Sequence, residues 1–265
     1  MNSSQMTFEI QESGLMPKKN LVILQARMSS SRLPGKVLAI INGKPMIHWQ
    51  IMRIEMARSV SQIVVATSTD QSDDPLVQSL QDNGYLVQRG SLDNVLERYL
   101  EVIRKFGEYQ NVVRLTADCP LVMPEIVDKM ITEFGKSHMD YLSNSLEPTF
   151  PDGLDVEIMK SSALEKLANM GLSAAEKEHV TLGFRDKARD FTIGNYSQDS
   201  NFSNYRWTVD YEQDLEFVRK IYAEFLGREH TFGYQDLLAL LEAKPELINK
   251  ISGNLRNVAL KENQD

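Results

Sequence analysis

Cysteine is almost missing from this sequence: Cys119 is the only one in 265 residues. An intramolecular disulfide and a metal site built on clustered cysteines are thereby excluded, and a reducing, cytoplasmic setting is expected. Long hydrophobic runs are missing as well. No apolar run exceeds five residues, as at 237–241, against the roughly 18 that a membrane-spanning helix needs. No membrane partner is expected. Residues 1–19 carry two glutamates and no apolar stretch of the secretory kind, so a signal peptide is not expected either. Excess positive charge is absent too, since 29 Lys and Arg stand against 37 Asp and Glu, a net charge of −8. That argues against a nucleic-acid partner held by bulk phosphate attraction.

What is present is an ordinary soluble composition, 42% apolar and 25% charged, in a chain long enough for one large domain or two small ones. Its acidic residues are unevenly spread. Between Glu12 and Glu55 lie 42 residues without one Asp or Glu, where the overall acidic content would place about six. The same stretch holds Lys18, Lys19, Arg27, Arg32, Lys36, Lys44 and Arg53. A basic island in an acidic chain points to a local anion site.

The pattern along the chain is that of an α/β protein. Residues 1–17 are polar and aperiodic, and are expected to form a flexible tail. Apolar runs at 21–26, 62–67 and 111–117 read as buried strands, with a shorter one at 85–88. Helical periodicity fills the gaps at 45–58, 74–83, 92–106 and 124–134. This alternation implies parallel strands joined by right-handed crossovers. Beyond residue 139 the order loosens, with strands expected at 140–143, 154–159, 191–195 and 206–209. Helices are expected near 161–170, 174–187, 212–225 and 233–250. Ligands in such sheets bind beyond the carboxyl ends of the strands, which singles out the loops 27–36, 67–74 and 116–120. Within the second loop, Asp70, Asp73 and Asp74 read most simply as a solvated turn and helix cap.

Residues 27–36 read Arg-Met-Ser-Ser-Ser-Arg-Leu-Pro-Gly-Lys. Three cations and three hydroxyls beside a Pro-Gly turn suit a polyphosphate, which arginine grips through its planar fork and lysine as a point charge. The loop is not a Walker motif, since Ser30 and Val37 stand where Gly and Ser or Thr would be needed, and no GxGxxG occurs. The wider run 21–49, LVILQARMSSSRLPGKVLAIINGKPMIHW, is similar to the N-terminal signature of the sugar cytidylyltransferases that make CMP-Kdo and CMP-sialic acid. In particular the chain resembles the spore coat polysaccharide biosynthesis protein F family, which is acylneuraminate-cytidylyltransferase-like. RGSLDNVLERY (89–99), VVRLTADCPLV (112–122), PDGLDVEI (151–158), EHVT (178–181) and RWTVDYEQDLEFV (206–218) extend the likeness over roughly residues 20–226.

The resemblance implies a Rossmann-like nucleotide-diphospho-sugar transferase fold of GT-A type, a three-layer sandwich with a mostly parallel sheet. It implies transfer of CMP from CTP to a sugar acid of nonulosonic or Kdo-like type, with release of pyrophosphate. A nucleotide-binding half at 18–135, an acceptor-side region at 136–210 and C-terminal helices at 211–265 would make one domain. Arg27, Ser30, Arg32 and Lys36 would hold the triphosphate, and the backbone at Leu24 and Ala26 would lie against the base. Asp93 is a further nucleotide contact or the cap of the helix after it. Asp118 and Asp210 would hold Mg²⁺, which takes one or two carboxylates besides water and phosphate. With Arg27 and Lys36 they form the expected catalytic set. Asp118 also suits a turn before Pro120, and Asp210 suits an N-cap with Gln213 completing it.

For the acceptor, Asp152, Asp155, Glu157 and His179 are the candidates. Asp155 and Glu157 alternate with apolar neighbours, so on a strand they share one face. A sugar carboxylate needs a cation, for which Arg185 and His179 are both available. Kdo enzymes usually carry Asp-Glu-Pro where this chain has Asp118-Cys119-Pro120, which leaves the acceptor sugar open. A glycosyltransferase of the same fold is the alternative, but no Asp-x-Asp triplet occurs. A non-catalytic nucleotide-binding relative is another, which loss of the basic loop or both aspartates would have favoured. A homodimer is expected by the same resemblance, with apolar C-terminal residues such as Leu237, Leu241 and Ile251 available for a core and an interface.

Overall fold

A computed structural model describes residues 20–250, Glu108 and Lys187 excepted. The expected tail at 1–17 and Ile251 lie outside the described residues. Seven strands form the main sheet: β1 (Asn20–Gln25), β4 (Gln62–Ser68), β5 (Val87–Gly90), β6 (Asn111–Thr116), β7 (Tyr141–Ser143), β8 (Glu157–Lys160) and β9 (Ile193–Asn195). Their order is β5-β4-β1-β6-β8-β7-β9. All pairings are parallel except those of β8, which runs against β6 and β7. The sheet is mostly parallel, as the alternation of patterns implies.

β1 reads NLVILQ and is buried on both faces, the signature of a central parallel strand. Its alternating side chains feed two cores. Val22 and Leu24 point to one, packed by α1 (Met46–Ile54), α4 (Pro124–Lys136), α7 (Glu212–Glu224) and α8 (Tyr234–Ala243). Leu21 and Ile23 point to the other, packed by α3 (Val95–Phe106) and α5 (Ser161–Ala168). Two smaller helices, α2 (Asp74–Asp82) and α6 (Ala174–Glu178), complete the layers. Leu237 and Leu241 are core residues, so α8 spends its main apolar face within the chain.

Three expectations are corrected, and one element is added. Residues 206–209 form no strand, only a single bridge between Arg206 and Asp152. The helix expected over 174–187 is broken, because α6 stops at Glu178 and a separate 3-10 turn occupies Leu182–Arg185. The helix expected to 250 ends at Ala243, before Pro245 and a further 3-10 turn. A small hairpin went unread, of β2 (Ile40–Ile41) and β3 (Lys44–Pro45) joined by Asn42-Gly43. Both turn residues have positive φ, 43° and 79°, the conformation that a two-residue Asn-Gly hairpin turn takes.

β1 lies between β4 and β6 and the chain departs from it in both directions, so this is the switch point where a crevice opens. The loops after β1, β4 and β6 meet there. The PDG turn at 151–153 packs beside this crevice, where Asp152 pairs with Arg206. Gly153 has φ 110°, and a Cβ there would stand 2.5 Å from the Thr208 amide nitrogen. Only glycine lets this turn lie flat against the 207–208 backbone.

Candidate active site

The basic loop hangs on one peptide. The Met28 carbonyl accepts from the amides of Ser30 and Gly35, both at 2.9 Å. The Met28 N–H in turn donates to Asp73 at 2.7 Å. After Gly35 a 3-10 turn (Lys36–Leu38) drives the Lys36 side chain inward, where it is 8% exposed. Its Nζ donates to the Val209 carbonyl at 2.6 Å and to Asp210 Oδ1 at 3.0 Å, and lies 3.8 Å from Asp118 Oδ2. The two expected metal ligands, 92 residues apart in sequence, thus share one lysine. Backbone pairing joins them as well, since Val209 N–H donates to the Asp118 carbonyl at 2.8 Å.

Asp210 does not cap α7. That task falls to Asp214, whose carboxylate accepts from the amides of Asp210 and Tyr211 at 3.0 Å each. The Asp210 carboxylate is left to face Lys36, Arg32 at 3.1 Å and Arg206 at 3.0 Å. Burial alone would raise its pKa, but these three cations hold it below the usual carboxylate range. Arg206, itself 4% exposed, also binds Asp214 through Nε and Nη2 and reaches Asp152 at 3.2 Å. Its three acidic partners strengthen its hold on its proton despite burial.

Two cavities meet at this point. One is lined by Ala26, Arg27, Ser30, Lys36 and Arg98, the other by Ser145, Asp152, Asp155, Glu157 and Arg185. Arg32, Arg114, Asp118, His179 and Asp210 line both, and so form the wall between them. The first cavity takes most of the residues expected at the nucleotide. Leu24 lines neither cavity, and its side chain is in the core. Asp93 joins neither cavity. It is exposed, and the cap of α3 is Asn94, whose side chain accepts from Glu97 N–H at 3.1 Å.

All four acceptor candidates border the second cavity, on unequal terms. Glu157 is buried, and its oxygens are taken up by Arg114, by the Tyr141 hydroxyl and by Thr181 Oγ1. Burial disfavours its charge, but Arg114 and these hydroxyls outweigh burial and depress its pKa. His179 follows the C-terminus of α6 rather than starting a helix. Burial first, then Arg114, Arg27 and Arg185, lower its pKa against the opposing pull of Glu178, so the neutral ring is favoured. Several site residues carried no sequence signal as such: Arg98, Arg114 and Arg206. Arg98 is 1% exposed, and its Nε and Nη1 find no acceptor among the described residues.

Asp73, Glu157 and Asp210 all have depressed folded-state pKa values. Their contribution to stability is complete above the unfolded carboxylate value of about 4 and is lost as pH falls through the lower folded values. Circular dichroism on acidification should show unfolding beginning below about pH 4. An unchanged spectrum down to pH 2 would contradict the buried charges.

A family model described as cytidylyltransferase matches residues 21–243. The chain belongs to the cytidylyltransferase family. It is accordingly a nucleotidyltransferase. Spore coat polysaccharide biosynthesis protein SpsF of Bacillus subtilis is 30% identical over 239 residues, covering 85% of this chain and 95% of that one. The solved structure of a cytidylyltransferase from Leptospira borgpetersenii superposes with a TM-score of 0.82 at 30% identity, over 89% of this chain and 99% of its own. CMP:2-keto-3-deoxy-manno-octonic acid synthetase, solved in complex with CTP, shares the fold at a TM-score of 0.61 and 20% identity, over 78% and 99% of the two chains. The cytidylyltransferase is thus built on the nucleotide-diphospho-sugar transferase fold. No helix among the described residues is long and apolar enough to cross a membrane.

Proposed function

We propose that this cytidylyltransferase transfers CMP from CTP to a hydroxyl of a sugar acid of nonulosonic or Kdo-like type, releasing pyrophosphate. One observation carries the reading: two cavities, one cationic and one of mixed acid and base, share a wall that includes Arg32, Arg114, Asp118 and Asp210, with Lys36 behind it in the first cavity and in contact with Asp210. A nucleotide in the first and an acceptor in the second would bring the α-phosphorus and the attacking oxygen together at that wall. The relative solved with CTP, and named as a CMP-sugar-acid synthetase, supports the same pair of substrates.

Arg27, Ser30, Arg32 and Lys36 would bind the triphosphate, and Arg98, whose Nε and Nη1 find no acceptor among the described residues, adds positive charge at the same cavity. Arg32 and Lys36 both pair with Asp210, and triphosphate oxygens would attract the same two cations. Asp118 and Asp210 suit a divalent ion that brings its remaining ligands from phosphate and water, since among the described residues no cluster of three or more His, Cys, Asp or Glu is gathered. When bound there, Mg²⁺ would neutralise charge developing on the phosphate oxygens. Asp118→Asn and Asp210→Asn keep shape but lose charge, and each should abolish most magnesium-dependent turnover. Full turnover in both would remove the metal role.

For the acceptor carboxylate we take Arg185, because burial and the neighbouring arginines disfavour a charged His179 ring, and Arg185 Nε is buried without an acceptor among the described residues. Asp155 serves the sugar hydroxyls. Asp155→Asn and Arg185→Gln should each raise the acceptor KM about tenfold, as expected when a buried polar contact loses its partner, with CTP affinity near normal by calorimetry. Loss of CTP binding in folded variants would reassign the second cavity to the nucleotide.

The reading is tested by a pyrophosphate-release screen of four nucleoside triphosphates against nonulosonic acids, Kdo-like acids and sugar 1-phosphates. Release with CTP and a sugar acid supports it, and release only with sugar 1-phosphates overturns it. We place the enzyme in the cytoplasm as a homodimer, for which light scattering at micromolar concentration should give twice the chain mass.

A further inference from the structure

Asp73 looks solvated in sequence but is 0% exposed. Its neighbours keep the expected roles, Asp70 accepting from Ser72 N–H and Asp74 pairing with Arg89. Asp73 instead turns inward and accepts four hydrogen bonds. Oδ2 receives the Thr67 hydroxyl at 2.8 Å, the Ser68 N–H at 3.0 Å and the Ser68 hydroxyl at 2.5 Å. Oδ1 receives the Met28 N–H at 2.7 Å. Thr67 and Ser68 end β4, and Met28 directly follows Arg27 in the basic loop. One carboxylate therefore ties the end of a core strand to the peptide on which the whole loop is folded.

We propose that Asp73 is a positioning residue of the nucleotide site, which fixes the loop so that Arg27, Ser30, Arg32 and Lys36 converge on the triphosphate. The inference rests on the proposed reading of that loop. A carboxylate is required at this position because each oxygen faces an amide N–H that cannot rotate away. Asparagine has the same shape but only one acceptor oxygen, so its NH₂ must oppose either Met28 N–H or Ser68 N–H. Among the described residues no cation is in hydrogen-bond contact with Asp73, so these donors alone hold its charge, and the Met28 N–H is the one that reaches the loop.

The test measures KM for CTP, KM for the acceptor, kcat and the melting temperature in four proteins. Asp73→Asn should raise KM for CTP about tenfold, the effect of losing a hydrogen bond to a charged group, with the acceptor KM essentially unchanged. Thr67→Val removes one hydroxyl from Oδ2 and leaves the Met28 bond, so it should lower melting temperature but not move KM for CTP. Lys36→Ala reports on the loop itself. If it raises KM for CTP and Asp73→Asn does not, the positioning role is overturned while the loop assignment stands. If neither variant raises it, the loop assignment itself fails. Should Asp73→Asn not fold, an amide-to-ester replacement at Met28 deletes only the donating N–H. It too should raise KM for CTP, and an unchanged KM would overturn the proposal.

Discussion

Lys36→Met is expected to cut turnover at saturating CTP by about 10²–10³-fold, the usual cost of removing one preorganised donor from a site where charge develops. The reason lies in what Lys36 holds apart. Its Nζ stands between Asp210 at 3.0 Å and Asp118 at 3.8 Å, with the Val209 carbonyl at 2.6 Å beneath. Methionine fills a similar volume but leaves two carboxylates and a carbonyl facing the proposed triphosphate site. Anion binding then meets negative charge with less to offset it. Stability should fall by less than the roughly 3–5 kcal/mol of a broken buried pair, because Asp210 keeps Arg32 and Arg206. Lys36→Arg supplies the control. It restores charge, and so stability, but its planar fork does not replace a point charge on a short reach, and turnover should stay low. Pyrophosphate release and thermal melts on the same samples separate the two effects. Near-normal turnover in Lys36→Met would remove lysine from the transferring phosphate.

How far the sequence could foresee this site depends on the kind of contact. The basic loop was legible because seven cations and no acids fall in one stretch, and strand alternation alone puts that loop at the sheet's end. Asp118 and Asp210 were legible as acids following short runs of strand character. What periodicity could not show is which acid caps and which acid faces the cleft. Gln213 and Asp214 are both within reach of a cap, and Asp214 takes it because its carboxylate meets two amides and Arg206 at once. Asp73 was misjudged for a related reason. Its neighbours in sequence are acids, whereas its partners, Met28 and Ser68, come from the loop after β1 and the end of β4, which are brought together only when β1 pairs with β4. Glu157 was expected to share a strand face with Asp155, but β8 begins at Glu157, and Arg114 opposite it in the β6–β8 pairing takes up its carboxylate. Long-range register, not local pattern, separates a ligand-binding acid from a structural one.

Arg206→Met should be the most destabilising change in the site and should also depress activity. Asp214 is fully buried and receives two bonds from the Arg206 guanidinium, at 3.0 and 3.1 Å. Removing the arginine strands that carboxylate, which costs about 3–5 kcal/mol and should lower the melting temperature by roughly 10 °C for a chain of this size. Asp210 and Asp152 lose a partner in the same step, one on the wall shared by the two cavities and one lining the second. Stability and catalysis can be separated by a second change. Asp214→Asn added to Arg206→Met removes the stranded charge yet retains an acceptor oxygen for the Asp210 and Tyr211 amides. The double variant should regain a good part of the melting temperature. Its turnover should not recover, because nothing then fixes Asp210 from the side opposite Lys36 and Arg32. Recovery of both together would mean that Arg206 serves only to neutralise Asp214, and that Asp210 is set by Lys36 and Arg32 alone.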